Sequence, residues 1–158
     1  LRFPEAPAHL RLRRENGMIA VDLSRIIQSD RQDPQYIYLK EKEGDRAFPI
    51  VIGRFEADEI ERKVSNKRAA RPMTHDLIHA ILAALGAHIE QIVVDDLRDS
   101  TFHAKLYLRL TEGQGKAIDC RPSDAIALAS AVRAPIFVEE HVMNQVAKSE
   151  NPDEEGFF

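Results

Sequence analysis

The sequence has one cysteine, no tryptophan and only seven glycines in 158 residues. A single thiol, Cys120, excludes an internal disulfide framework and fits a reducing compartment. No apolar run approaches the roughly eighteen residues of a membrane-spanning helix, so no membrane partner is expected. No charged start followed by an apolar core and a small-residue cleavage site is found, so a cytoplasmic protein is expected. The chain opens without an initiator Met, as a processed or cloned start would. No glycine-rich phosphate loop occurs; Gly113-Gln114-Gly115 reads as a turn. An excess of positive charge is also missing, the formal net charge being −4. That weakens bulk nucleic-acid binding, since phosphate contacts leave a basic footprint. It leaves room for a site that works through carboxylates and a local positive surface.

What is present is a chain of single-domain length with 44% hydrophobic and 30% charged residues, so a packed core is expected rather than disorder. Residues 1–17 hold Pro4, Pro7 and several basic residues without a clean period, and read as an extension. The domain proper is expected over 18–148, with an acidic tail at 149–158. The one basic concentration is Arg62, Lys63, Lys67, Arg68 and Arg71. Such a run ordinarily complements the negative end of a helix dipole, and it is also the one surface the chain offers to phosphate.

Periodicity places the elements. Met18 to Ile27 alternates through Ile19, Val21 and Leu23 as a strand does. Tyr36–Lys40 and Ala47–Ile52 make a hairpin across Glu43-Gly44-Asp45, with Pro49 demoting the second run to an edge or a bulge. Phe55 to Asn66 reads as an amphipathic helix burying Ala57, Ile60 and Val64. Thr74 looks like the N-cap of a second helix, stopped by Gly86. Its Leu77, Ile78, Ile81, Leu82 and Leu85 cover more than one stripe, which predicts a largely buried helix. Strands follow at His88–Asp95, Phe102–Leu110 and Ala117–Cys120, then a helix opened by Pro122 or Ser123 and running through Val132. A short strand at Ala134–Val138 and a helix over Glu139–Ala147 complete an α+β reading with mixed sheets and four helices. An internal echo suggests duplication of a strand-plus-helix unit: Arg71-Pro72 with Asp76 against Arg121-Pro122 with Asp124, and Pro49–Ile52 against Pro135–Val138.

Four motifs go beyond periodicity. Phe48-Pro49-Ile50-Val51-Ile52-Gly53-Arg54-Phe55-Glu56-Ala57 is the first, and Arg71-Pro72-Met73-Thr74-His75-Asp76-Leu77 the second. Asp119-Cys120-Arg121-Pro122-Ser123-Asp124-Ala125-Ile126-Ala127-Leu128-Ala129 and Ala134-Pro135-Ile136-Phe137-Val138 are the others. In order and spacing they resemble the signatures of the bacterial and plant bifunctional nuclease (DNase/RNase) family, over roughly Ile19 to Val146. Phe48 stands where that family usually has Leu, and Val51 where a bulkier aromatic is common. The resemblance implies an α+β homodimer and cleavage of DNA and RNA.

The motif residues include what phosphodiester hydrolysis needs. Carboxylates hold divalent metals, an imidazole moves a proton, and guanidinium groups clamp phosphate oxygens. Glu56 and Asp76 are the expected ligands of Mg2+ or Mn2+, His75 the base or water-orienter, and Arg71 and Arg121 the phosphate clamps, with Asp124 beside them. A structural reading accounts for the same residues: Glu56 and Asp124 fall in first helical turns, Asp76 caps its own helix, and Arg71 and Arg121 pair with the aspartates inside the protein. On that reading the chain is a non-catalytic homodimeric module binding protein or nucleic acid. His75 and His79 mimic a zinc-protease pair, but Asp76 stands where Glu is required and no third ligand is signalled. Cys120 is expected to be a small buried apolar residue, although Arg121 beside it would favour the thiolate.

Overall fold

The structure is a computed structural model describing residues 17–29, 34–146 and 148–149. All of the expected extension except Gly17, and all of the expected tail except Ser149, lie outside those residues. The elements run β1 (Met18–Ile27), β2 (Gln35–Glu41), β3 (Arg46–Ile52), α1 (Arg54–Val64), α2 (Thr74–Ala84), β4 (Ala87–Arg98), β5 (Thr101–Leu110), β6 (Gly115–Cys120), α3 (Pro122–Val132), β7 (Ile136–Glu139), α4 (Glu140–Val146) and the two-residue β8 (Lys148–Ser149). This is the expected α+β class with four helices among the described residues.

All strands join one sheet in the order β6-β5-β4-β7-β1-β2-β3-β8. Two antiparallel meanders, β1-β2-β3 and β4-β5-β6, are therefore joined through β7, which runs parallel to β4 and antiparallel to β1. Ile136, Phe137 and Val138 of β7 are all buried, the unbroken apolar run of a strand covered on both faces. The turn at Asp99 and Ser100 takes positive φ at both residues (49° and 59°), the geometry that matches the twist of a tight hairpin. Pro49 lies on β3 opposite Tyr38, and β8 pairs only with Arg46 and Ala47, so among the described residues no second strand lies along β3 at the proline.

The sheet curls back on itself. Phe48 of β3 and Phe102 of β5 stack at 5.5 Å between ring centroids, though β4, β7, β1 and β2 lie between their strands. A flat sheet would hold those strands about 24 Å apart at about 4.8 Å per step. Ile37, Leu39, Phe48, Ile50, Ile92, Val94 and Val138 share one core with Ala57 and Ile60 of α1 and Ala125, Ile126 and Ala129 of α3. Ala57, Ala125 and Ala129 are fully buried, and their small side chains let helix and neighbour approach closely.

Two burial expectations are corrected. Helix α2 has no buried residue; Leu77, Ile81 and Leu85 are 55%, 48% and 72% exposed, while Ile78 and Leu82 alone lean on the core. Its composition would suit burial on two sides, but the fold offers only one. In α1 the inner face is Ala57, Glu59, Ile60 and Lys63, and Val64 is half exposed. The echo also resolves differently from the motif matching: α1 and α3 are the helices that each follow a three-stranded meander. Met73, not Thr74, is the N-cap of α2, and Gly86 ends that helix with φ +68°.

Candidate functional site at three helix starts

Three of the four motifs fold into strand-to-helix or loop-to-helix junctions, and their polar side chains meet. Gly53 is the N-cap of α1 and Glu56 its third residue. Arg121 is the N-cap of α3, with Pro122 at the first helical position and Asp124 at the third. Arg121 Nη1 donates to Glu56 Oε1 at 2.9 Å, while its Nε and Nη2 donate to the two oxygens of Asp124 at 2.7 and 3.1 Å. One guanidinium thus holds carboxylates from two helices, with a two-pronged grip on Asp124. The Arg121 side chain remains 63% exposed.

The third junction brings His75, from the first turn of α2. Its Nε2 lies 3.1 Å from Asp124 Oδ1, and its Nδ1 lies 3.6 Å from Glu59 Oε1. Glu59, buried in the middle of α1, also accepts from Arg62 Nε and Nη2 at 2.8 and 2.7 Å. Arg62 Nη2 continues to Asp76 Oδ2 at 2.9 Å, and Asp76 takes further bonds from Lys63 Nζ and from the Met73 N–H. The groups form one chain of contacts: Glu56, Arg121, Asp124, His75, Glu59, Arg62, Asp76 and Lys63. Four carboxylates face three permanent cations, and His75 completes the balance when protonated.

The electrostatics follow from these partners. Lys63 and the Met73 N–H hold the Asp76 carboxyl far below its ordinary value. The Arg62 hydrogen bonds lower Glu59 in spite of its burial. At Asp124 burial favours the neutral acid, yet the bonds from Arg121 and His75 outweigh it and the carboxyl lies below its usual range. His79, one turn on from His75, is lowered by burial, and its Nε2 is buried without a partner among the described residues.

The structure therefore brings together Glu56, His75, Asp76, Arg121 and Asp124. It leaves out Arg71, which is exposed and has no ion pair among the described residues. Asp76 does cap its helix, but its cations are Lys63 and Arg62 rather than Arg71. Arg121 pairs with Asp124 as the structural reading expected, at the surface rather than inside. Glu56 and Asp76 do not form one donor set. Glu56 is held by Arg121 and both oxygens of Asp76 are taken, while no three His, Cys, Asp or Glu side chains converge for a metal among the described residues. The residues present thus do not fit a preformed cage of that pair. Asp119 points to Lys105 and solvent, with its side chain 73% exposed. Burial pushes the Cys120 thiol up to about 11, so it is a poor nucleophile.

Glu59, Arg62 and Lys63 complete the network, which the motifs do not announce. One signal for them exists in the sequence: Glu59 and Lys63 are four apart in the order that favours a helical ion pair. A hydrophobic stripe drawn through Val64 passes over it.

Fold and site together define an α+β domain in which three helix starts present carboxylates, an imidazole and a reachable guanidinium around one surface point. The model of the bifunctional nuclease domain matches residues 37–151, and the chain belongs to that family. β1 lies ahead of the matched stretch but is built into the sheet between β7 and β2. An uncharacterised protein of Mycobacterium tuberculosis is 39% identical over 114 residues, 72% of this chain and 67% of that protein. Bifunctional nuclease 1 of Oryza sativa subsp. japonica is 24% identical over 109 residues, 67% of this chain but only 33% of the rice protein. A bifunctional nuclease of Oryza minuta matches to the same extent. Among the described residues no helix is long and apolar enough to cross a membrane.

Proposed function

We propose that the protein is a nuclease that hydrolyses phosphodiester bonds in DNA and RNA at the junction of α1, α2 and α3. The observation that carries this reading is His75 held between Asp124 and Glu59, next to the exposed Arg121. In the proposed reaction Arg121 receives the scissile phosphate through N–H groups that turn outward from Glu56 and Asp124. The positive ends of α1 and α3 add to that attraction. With Nε2–H donating to Asp124, His75 takes the attacking water's proton on Nδ1, which Glu59 faces at 3.6 Å; the P–O bond to the departing sugar oxygen breaks as water adds to phosphorus, and His75 returns the proton to that oxygen. Asp76 holds the start of α2 in place, and Arg71 contacts the strand outside the network. The expected dependence on Mg2+ or Mn2+ has no preformed donor set to rest on, so the roles above use the chain's own groups alone.

The test is cleavage of labelled DNA and RNA by highly purified protein, with Mg2+, with Mn2+ and with chelator. His75→Ala, Arg121→Ala, Glu56→Gln and Asp76→Asn proteins are purified identically. His75→Ala is expected to lose about 100-fold in rate and Arg121→Ala about 100- to 1,000-fold, the scale of removing one proton-transfer or charge-stabilising group. Unchanged cleavage in both would place the activity in a contaminant or at another site.

A second reading, a non-catalytic homodimeric binding module, is favoured by one observation: every carboxylate of the set is already engaged in an internal ion pair. The homodimer belongs to both readings. Met73, Leu77, Ile81 and Leu85 succeed one another every four residues along α2 and its caps and are 48% to 72% exposed, a stripe suited to the same helix of a second copy. Sedimentation at micromolar concentration is expected to show a dimer that Leu77→Glu with Ile81→Glu dissociates. A wild-type protein that sediments only as monomer overturns the dimer.

A further inference from the structure

The catalytic proposal leaves the basic concentration at the end of α1 unused. There the chain leaves the helix through Asn66, which takes a left-handed φ of 53°, and Lys67 N bonds back to Arg62 O at 3.0 Å. Arg62, Lys63, Asn66, Lys67 and Arg68 line an open cleft of about 340 Å³ together with Ala131 of α3. Asp76 is the one carboxylate in its wall.

The charges divide into two sets. Arg62 and Lys63 are held inward by Glu59 and Asp76 and form a fixed floor. Lys67 is 67% exposed, with Glu61 at 3.7 Å its ion-pair partner, and Arg68 is exposed with no ion pair among the described residues. The cleft's four cations, Arg62, Lys63, Lys67 and Arg68, meet Asp76, Glu59 and Glu61, a local balance of about +1 on a chain whose net charge is −4. Cations that merely complement a helix end need neither a cleft nor spare charge. The floor residues also belong to the network that runs on to His75 and Arg121, which ties the cleft to the proposed reaction site.

We infer that this cleft seats the phosphodiester backbone of single-stranded nucleic acid, DNA and RNA alike. The inference rests on the nuclease reading for what happens to the strand next, and on the cleft itself for binding. No aromatic ring lines the cleft, so it has nothing on which to stack bases, and its hold is on phosphate, which both polymers share.

The experiment is fluorescence anisotropy of the full chain with labelled oligothymidylate and oligouridylate of about fifteen nucleotides, in chelator and across a salt series. The comparison protein is Lys67→Ala with Arg68→Ala, both at the surface and outside the proposed catalytic groups. Both strands are expected to bind the parent chain. The double variant is expected to bind about tenfold more weakly, with a salt slope shallower by about 1.4, at about 0.7 for each phosphate no longer neutralised. Unchanged affinity and slope overturn the inference, as does absence of binding to the parent chain. Displacement of the strand by inorganic phosphate at equal concentration also overturns it, by making the cleft a site for a free anion. A protein that binds through Lys67 and Arg68 but never cuts keeps this inference and sinks the nuclease reading. One that cuts while the double variant binds normally does the reverse.

Discussion

The starts of α1 and α3 are built alike and equipped differently. Each helix follows the third strand of a meander, and each carries a carboxylate at its third residue, Glu56 in one and Asp124 in the other. By itself such an acid stabilises a helix start by about 0.3–1 kcal/mol. The difference is the N-cap. At α3 it is Arg121, whose guanidinium reaches both acids; at α1 it is Gly53, over which the Glu56 carboxylate folds so closely that a Cβ there would collide with Oε2. A repeated framework supplies two matched carboxylates, and one unmatched residue between the repeats makes them a single charged site.

Four substitutions or conditions test that contrast, from the largest effect to the smallest. Arg121→Ala removes the shared cation and is expected to lower the cleavage rate by about 100- to 1,000-fold, on the scale of a charge-stabilising group. Its thermal unfolding should change little, because the side chain is mostly in solvent. A comparable loss of stability would make Arg121 a strut and remove the contrast. Glu59→Gln strikes the buried middle of the network, where Arg62 and Lys63 lose one of their two carboxylates and keep Asp76; the cost expected in denaturant unfolding is about 3 kcal/mol, the low end for breaking a buried pair.

Acid should weaken the network with a defined sign. Asp76, Glu59 and Asp124 are all lower in the folded chain than their ordinary values of 3.8, 4.5 and 3.8. Their contribution is therefore complete above about pH 5 and is lost as pH falls through and below the ordinary carboxyl range, where the unfolded chain binds protons first. Unfolding midpoints from pH 6 down to pH 2 should fall, and Asp76→Asn should flatten the fall; an equal slope in that variant would remove Asp76 from the cause. The smallest effect is Gly53→Ala. Its φ of −76° suits any residue, and the crowded atom is the end of a flexible side chain. Stability should change by less than about 1 kcal/mol. Cleavage should drop if the Glu56 carboxylate must stay on Arg121, and an unchanged rate would make Glu56 dispensable there.

Much of the framework was legible because strands and helices announce themselves through periods that side-chain direction dictates. Met18–Ile27 alternates as it does because one side of β1 meets the core. Burial was less legible. The stripe on α2 stated which residues would gain from cover, not whether another element would arrive to supply it. In α1, Lys63 takes an inner position because its long aliphatic stem packs while its ammonium reaches Asp76, a use of lysine that hydropathy does not anticipate.

The site was half legible for a related reason. Motif spacing gathered Glu56, His75, Arg121 and Asp124, since each sits in or beside the first turn of a helix. The assignment of Asp76 to Arg71 failed because nearness along the chain says little about which cation lies within 4 Å in space. Lys63 and Arg62, on the preceding helix, were nearer.

By itself, then, the order of residues determined the elements, their turns, the family and the placing of polar groups at helix starts, all of which depend on neighbours a few positions away. Only the tertiary structure decided that Phe48 meets Phe102, that Glu59 joins His75, and that α2 leaves its apolar stripe uncovered. Those outcomes depend on how far the sheet curls and how closely α1 and α3 pack. Coulomb attraction and burial are set by distances across that packing, and no local pattern records them.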